Sequence, residues 1–226
     1  MANRGKIKSM AKELNFQAIA TMPLKKLGMG NLEYLEMMLD HELSSRRQNA
    51  IAKVKRNCNL PSVKFDKEKL NKGLRYQIKK LLGCDWIRKN GSLLIVGEPN
   101  TGKTALATYL SGNAIEKGFK AFYIKLDELL VVIRSKETFN KARATYNKVR
   151  NADLLIIDEM LYLDIAAEDL ELLYKTIMLI NDTASIIFVT NREISKWIKN
   201  AEDKYAMELL VKRAIENCEI VRLSKR

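Results

Sequence analysis

The sequence predicts an α/β fold: a mainly parallel five-stranded sheet flanked by helices, built around a phosphate-binding loop and preceded by a small, basic, all-helical domain. Three observations predict it. Gly97-Glu98-Pro99-Asn100-Thr101-Gly102-Lys103-Thr104 fits G-x-x-x-x-G-K-[ST] directly after the apolar run Leu93-Leu94-Ile95-Val96. Strand-like and helix-like segments alternate from there to Arg226. The charge is lopsided: residues 1–90 carry 20 Lys and Arg against 8 Asp and Glu, a net of +12, whereas residues 91–226 carry 20 against 19, a net of +1.

A chain of 226 residues with 47% apolar side chains can bury one substantial core plus a small appendage. The best boundary is Asn59-Leu60-Pro61-Ser62, which divides a helical domain at 1–60 from a core at 61–226. No run of about 18 apolar residues occurs and the amino terminus lacks an apolar signal core, so a soluble cytoplasmic protein with no membrane partner is expected. Cys58, Cys84 and Cys218 form no C-x-x-C pair, and His41 is the only histidine. That argues against zinc and for buried or incidental thiols.

In chain order, Met10 to Leu27 reads as one or two short helices interrupted near Met22-Pro23, with Leu14, Ile19, Leu24 and Leu27 as anchors. Gly28-Met29-Gly30-Asn31 breaks the pattern, and Asn31 is the expected N-cap of a helix through Leu32, Leu35, Leu39 and Leu43. That helix starts acidic, with Glu33 and Glu36, and ends cationic, with Arg46, Arg47, Lys53, Lys55 and Arg56. The helix dipole alone favours such a gradient, but there are more cations than capping needs. A basic arm ahead of a near-neutral core suits a polyanion such as nucleic acid, and those five residues are the DNA-contact candidates. A merely solvated basic helix would have the same composition.

Lys67 to Leu82 is a further amphipathic helix, and Trp86 or Ile87 beyond it would serve either base contact or packing. Strands are expected at Leu93–Val96, Ala121–Ile124, Leu154–Ile157, Ile186–Val189 and Ile220–Leu223. Helices are expected at Thr104–Lys117, Asp127–Val149 with a break near Ser135–Glu137, Ala167–Ile180 and Glu202–Glu216. These elements use up residues 91–226, so no helical lid is expected after the core.

The chemistry gathers at the ends of strands. Gly97, Asn100, Thr101, Gly102, Lys103, Thr104 and Ala105 would form the nucleotide cradle, in which backbone N–H groups and a helix N-terminus attract anionic oxygens. Lys103 would reach the β- and γ-phosphates, and the Thr104 hydroxyl would take one position on Mg²⁺. Leu154-Leu155-Ile156-Ile157 delivers Asp158 and Glu159 to the carboxyl end of a buried strand, where ligands sit in open α/β sheets. Side chains diverge along a strand, so Asp158 would hold Mg²⁺ and Glu159 would deprotonate the attacking water. An acidic turn would also place two carboxylates together. Ile186-Ile187-Phe188-Val189-Thr190-Asn191 ends on an amide that could bond the water or a γ-phosphate oxygen, although Thr-Asn is also an ordinary turn.

The order GEPNTGKT, LLIIDE, VTN and a late basic helix resembles the AAA+ ATPases, and within them the IstB/DnaC group, over roughly residues 30–226. Leu155 to Leu163 is close to the group's LIIDELGYLP, Asn191 to Trp197 to its SNxxxxxW, and Leu32-Glu33-Tyr34-Leu35-Glu36 to Arg47 to its YLExLLxxE followed by basic residues. The last segment favours the transposition helpers over the helicase loaders. The loop departs from GPPGTGKT at Glu98 and Asn100, and Asn tolerates positive φ. The resemblance implies ATP with Mg²⁺ bound between copies of a homo-oligomer assembled on duplex DNA, ring or helical, with a transposase as partner. The alternative is a DnaC-like loader of a replicative helicase. It also implies an arginine donated by a neighbouring copy, for which Arg213 falls where the group reads DRL; Arg192 and Arg222 are weaker candidates. Lys136, Lys141, Arg143 and Lys148 lie where related loaders carry a nucleic-acid element.

Overall fold

The structure, a computed structural model, describes residues 3–16, 20–21, 29–66, 70–160, 165–215 and 218–224 of the chain. Its contacts divide it into two compact units, residues 1–54 and 55–226. The division falls within the last turns of a long helix, ahead of the Asn59–Ser62 boundary read from the sequence.

In the first unit, α1 (Arg4–Glu13) is capped by Asn3, whose side chain accepts from the N–H groups of Gly5 and Lys6. Ile7, Met10, Ala11 and Leu14 form its buried stripe against Leu32, Leu39 and Leu43 of α2 (Met29–Asn57). Lys6 pairs with Glu36 and Asp40, and Glu13 with Arg47, so contacts advance together along both helices and the two run in the same direction. Two expectations are corrected. The first helix begins at Arg4, because Asn3 supplies a cap and Ile7 an anchor. Met29, Gly30 and Asn31 are already helical rather than a break with Asn31 as cap, since burial of Leu32 outweighs the helix-breaking cost of glycine. The interruption near Met22-Pro23 and the anchors Ile19, Leu24 and Leu27 lie outside the described residues.

The second unit is a parallel sheet in the order β2-β3-β4-β1-β5. The strands are β1 (Leu93–Gly97), β2 (Ala121–Lys125), β3 (Leu154–Asp158), β4 (Ser185–Thr190) and β5 (Glu219–Leu223). Central strands are buried along their length and apolar except at their ends, because both faces are covered. One face carries Leu94, Val96, Phe122, Ile124, Leu155, Ile157, Ile186 and Phe188. It is covered by α6 (Leu126–Ser135), α7 (Asn140–Arg150), α8 (Ala167–Asn181), α9 (Ile194–Asn200), α10 (Lys204–Leu210) and a π-helical turn, Val211–Ile215. The alternate residues face α5 (Lys103–Glu116), which packs across β1 to β4. Two helices precede the sheet: α3 (Lys72–Leu81), capped by Asn71, and the single turn α4 (Asp85–Arg88). Leu70 and Asn71, expected inside a helix begun at Lys67, are not helical because Asn71 caps α3; residues 67–69 lie outside the described residues. The expected helix at Glu202–Glu216 is instead α10 followed by the π turn, with Glu216 not described. Ile87 is buried and the Trp86 indole donates to the Leu81 carbonyl at 2.9 Å, which gives both residues packing roles.

The edge strand β2 is bonded on its outer side at Tyr123. The Tyr123 N–H donates to the Cys58 carbonyl at 2.8 Å, and the Asn59 amide donates to the Tyr123 carbonyl at 3.3 Å, so the segment after α2 covers that edge at its middle residue. Cys58, Cys84 and Cys218 are buried free thiols, and burial pushes Cys218 up to about 12. Among the described residues no helix is long and apolar enough to cross a membrane.

Candidate nucleotide site

The loop between β1 and α5 is shaped by steric necessity. A Cβ on Gly97 would stand 2.2 Å from the Leu223 carbonyl oxygen and 2.9 Å from the Thr101 hydroxyl, so only glycine lets β1 pass this close to β5. Asn100 and Gly102 take φ of +64° and +90°, conformations that Asn and Gly adopt with least strain. The curl closes on one acceptor: the Glu98 carbonyl receives the Thr101 hydroxyl at 2.8 Å and the Lys103 ammonium at 2.7 Å. Helix α5 then starts from Gly102 with no side-chain cap, which leaves its first N–H groups and the positive end of its dipole facing the loop. Burial holds the Lys103 ammonium below the ordinary lysine value, with the Asp158 carboxylate acting against that.

Strand parity sends Asp158 to the α5 side of the sheet. Its buried carboxylate accepts the Thr104 hydroxyl at 2.7 Å and the Tyr123 phenol at 2.8 Å on Oδ2, and the Glu159 N–H at 2.7 Å on Oδ1. Glu159 takes φ +56°, unusual for a non-glycine residue and the kind of strain that collects at working sites. The turn separates its carboxylate from that of Asp158, and Oε1 meets the Lys125 ammonium at 2.7 Å. Tyr123 and Lys125, two residues apart on β2, thus serve the two adjacent acids. Sequence reasoning missed both, and their one signal was a polar tip in an otherwise apolar strand. Burial, then the Asp158 charge and hydrogen bond, push the Tyr123 phenol above its ordinary value and keep it a donor.

Strand β4 lies between β3 and β1, so Asn191 at its end stands between the acid pair and the loop. Thr190 is committed to structure, donating to the Met160 carbonyl at 2.9 Å and accepting from the Arg192 N–H at 3.1 Å. The Asn191 Oδ1 atom is buried and has no partner among the described residues, which leaves an acceptor to be satisfied by something bound there.

Arg213 is elsewhere. It is exposed on the π turn, with no hydrogen bond or ion pair among the described residues. It lines a recess of about 450 Å³ with Asn181, Asp182 and Lys212. Asn181 and Asp182 close α8 just before β4 begins, so this recess is at the edge where strands start, whereas the phosphate loop is where they end. A five-residue strand, about 16 Å, intervenes.

Among the DNA-contact candidates, Arg46 donates to Glu42 at 2.7 Å, Arg47 pairs with Glu13 at 3.2 Å and Lys55 with Glu116 at 2.8 Å. Lys53 and Arg56 are exposed without a partner among the described residues. Of the secondary candidates, Lys136 lies over the Tyr146 ring and Arg143 donates to the Lys136 and Glu137 carbonyls.

The profile of the family described as IstB-like ATP binding protein matches residues 2–226. The chain belongs to that family. An insertion sequence IS21-like putative ATP-binding protein of Bacteroides fragilis is 29% identical over 196 residues, covering 84% of this chain and 74% of the relative. Among solved structures, the DnaC helicase loader superposes with a TM-score of 0.56 at 18% identity, covering 74% of this chain and 97% of that one. A replication initiator DnaA bound to AMPPCP and single-stranded DNA also gives 0.56 at 18% identity, covering 75% of this chain and 50% of that one. With these structures the chain shares an AAA+ P-loop fold: a five-stranded parallel sheet, flanking helices and a phosphate loop after β1.

The residues present fit a magnesium nucleotide. Thr104 and Asp158 offer the hydroxyl and carboxylate oxygens that a hard cation takes. Lys103 and the uncapped start of α5 suit phosphate, and Asn191 brings an unsatisfied amide to the same edge.

Proposed function

We propose that this protein is an ATPase that self-assembles on duplex DNA and acts as a transposition helper, selecting a target and recruiting or stimulating a transposase. One observation carries the ATPase reading: Lys103 and Thr104 from the start of α5, and Asp158 and Glu159 from the end of β3, meet at the ends of the strands with Thr104 and Asp158 2.7 Å apart. Gly97, Asn100, Thr101, Gly102 and Ala105 would shape the cradle, and Lys103 would exchange the Glu98 carbonyl for phosphate oxygen. Thr104 and Asp158 would hold Mg²⁺, which when bound neutralises charge on the phosphates. Glu159 would accept a proton from the attacking water, for which its carboxylate must first part from Lys125. Asn191 would orient that water through its amide.

Arg213 supports assembly. A strand's length from its own loop, it can neutralise charge only in a neighbouring copy's site, and in this reading each site is completed by the next protomer. The insertion-sequence names of the relatives favour a transposition helper over a helicase loader, with the cytoplasm as the place of action. Lys53 and Arg56 are the better-disposed of the five DNA candidates, while Arg46, Arg47 and Lys55 would trade internal partners for phosphate.

The test is DNA retention at rising salt, with and without a non-hydrolysable ATP analogue. Nucleotide-dependent retention that falls steeply with salt is expected, and equal weak binding in both arms removes nucleotide-driven assembly. For the chemistry, Glu159→Gln should retain ATP binding and lose turnover by roughly 10²–10⁴. Unchanged turnover would make the nucleotide merely structural.

A further inference from the structure

We propose that Tyr123 is a positioning residue for Asp158 and that the strap Cys58–Asn59 sets where Tyr123 stands. This rests on the ATPase reading above and gives its metal-holding carboxylate a support that no sequence motif contains.

Tyr123 is buried in β2, one strand away from Asp158, in the register Tyr123 to Ile156 and Lys125 to Asp158. Parity turns Tyr123 and Asp158 to the same face of the sheet, and the phenol donates to Oδ2 at 2.8 Å. With Thr104 donating to the same oxygen from α5 and the Glu159 N–H to the other, donors from three directions define the plane of the carboxylate. The Thr104 hydroxyl is itself expected to turn to the cation. Tyr123 is then the side chain left to hold Asp158 in place.

The strap makes this more than core filling. As an edge strand, β2 would be free to shift along its outer side, but Tyr123 is bonded there through both backbone groups, its N–H to the Cys58 carbonyl and its carbonyl to the Asn59 amide. Asn59 reaches it from a left-handed turn, φ +57°. A phenylalanine would fill the same volume and make the same backbone bonds, so the phenolic oxygen is what the positioning role adds.

The experiment measures binding of a fluorescent ATP analogue while Mg²⁺ is titrated, in Tyr123→Phe, Asn59→Gly and the unaltered chain, with thermal unfolding as a control. Outer partners of metal ligands typically contribute 10–100-fold to metal affinity. Tyr123→Phe should therefore raise the Mg²⁺ concentration for half-maximal effect by about tenfold, with Mg²⁺-free affinity and melting temperature little changed. Asn59→Gly keeps the phenol and the positive φ but removes the amide clamp, and should move the same midpoint in the same direction by less. A Tyr123→Phe midpoint equal to that of the unaltered chain overturns the proposal, and an unmoved Asn59→Gly midpoint overturns the strap's part in it. An unaltered chain whose binding ignores Mg²⁺ brings down the ATPase reading itself and this inference with it.

Discussion

Residue chemistry at this site is set by crowding. Gly97 is held to glycine by a carbonyl of β5 that a methyl group would overlap. Gly97→Ala is expected to force β1 and β5 apart, to cost about 1–3 kcal/mol of stability in thermal or urea unfolding, and to abolish nucleotide binding measured by fluorescence. The same substitution at Gly112, where a Cβ meets nothing within 4 Å, should leave binding intact. The placement of Lys103 and Thr104 after one apolar run, and of Asp158 and Glu159 after another, was legible in the sequence, because buried parallel strands end where the chain turns polar. Lys125 as partner of Glu159 was not legible, since the contact joins residues 34 apart.

At the scale of elements, all five strands lie close to their sequence-read positions: the inner strands because burial on both faces demands apolar residues, and edge strand β5 because buried Val221 and Leu223 alternate with exposed Ile220 and Arg222. Helix boundaries moved where a cap or an anchor was overlooked, as at Asn3 and Asn71. The Asn71 side chain accepts the Leu74 N–H at 2.8 Å and opens α3, whose Gln77 reaches Glu219 and the Ile220 carbonyl on edge strand β5. Asn71→Ala is therefore expected to cost about 1 kcal/mol, read as a lowered urea midpoint, and to speed hydrogen exchange in α3 ahead of the central strands. Restoration by Asn71→Asp or Ser would identify the cap as the cause.

At the scale of the whole molecule, the site and the exposed arginine stand at opposite edges of one sheet, and the proposal of shared sites follows from that separation. Lys103→Ala would remove phosphate binding while leaving Arg213 intact, and Arg213→Ala the reverse. Each variant alone should hydrolyse ATP at a small fraction of the normal rate. A mixture should recover activity through interfaces that pair the loop of an Arg213→Ala copy with the arginine of a Lys103→Ala copy. A mixture no more active than its components would place the arginine outside the reaction.

By itself, the sequence determined the α/β class, the phosphate loop, the two acids and the concentration of positive charge in the first 90 residues. Each is written in spacing or composition over a short stretch, where local sterics and hydrophobic periodicity act. Only the tertiary structure decided that β2 lies beside β3, that Tyr123 and Lys125 therefore meet the acid pair, and that Arg213 stands a strand's length from the loop. Strand order is chosen by how whole faces pack, and such packing leaves no local mark on the residues it brings together.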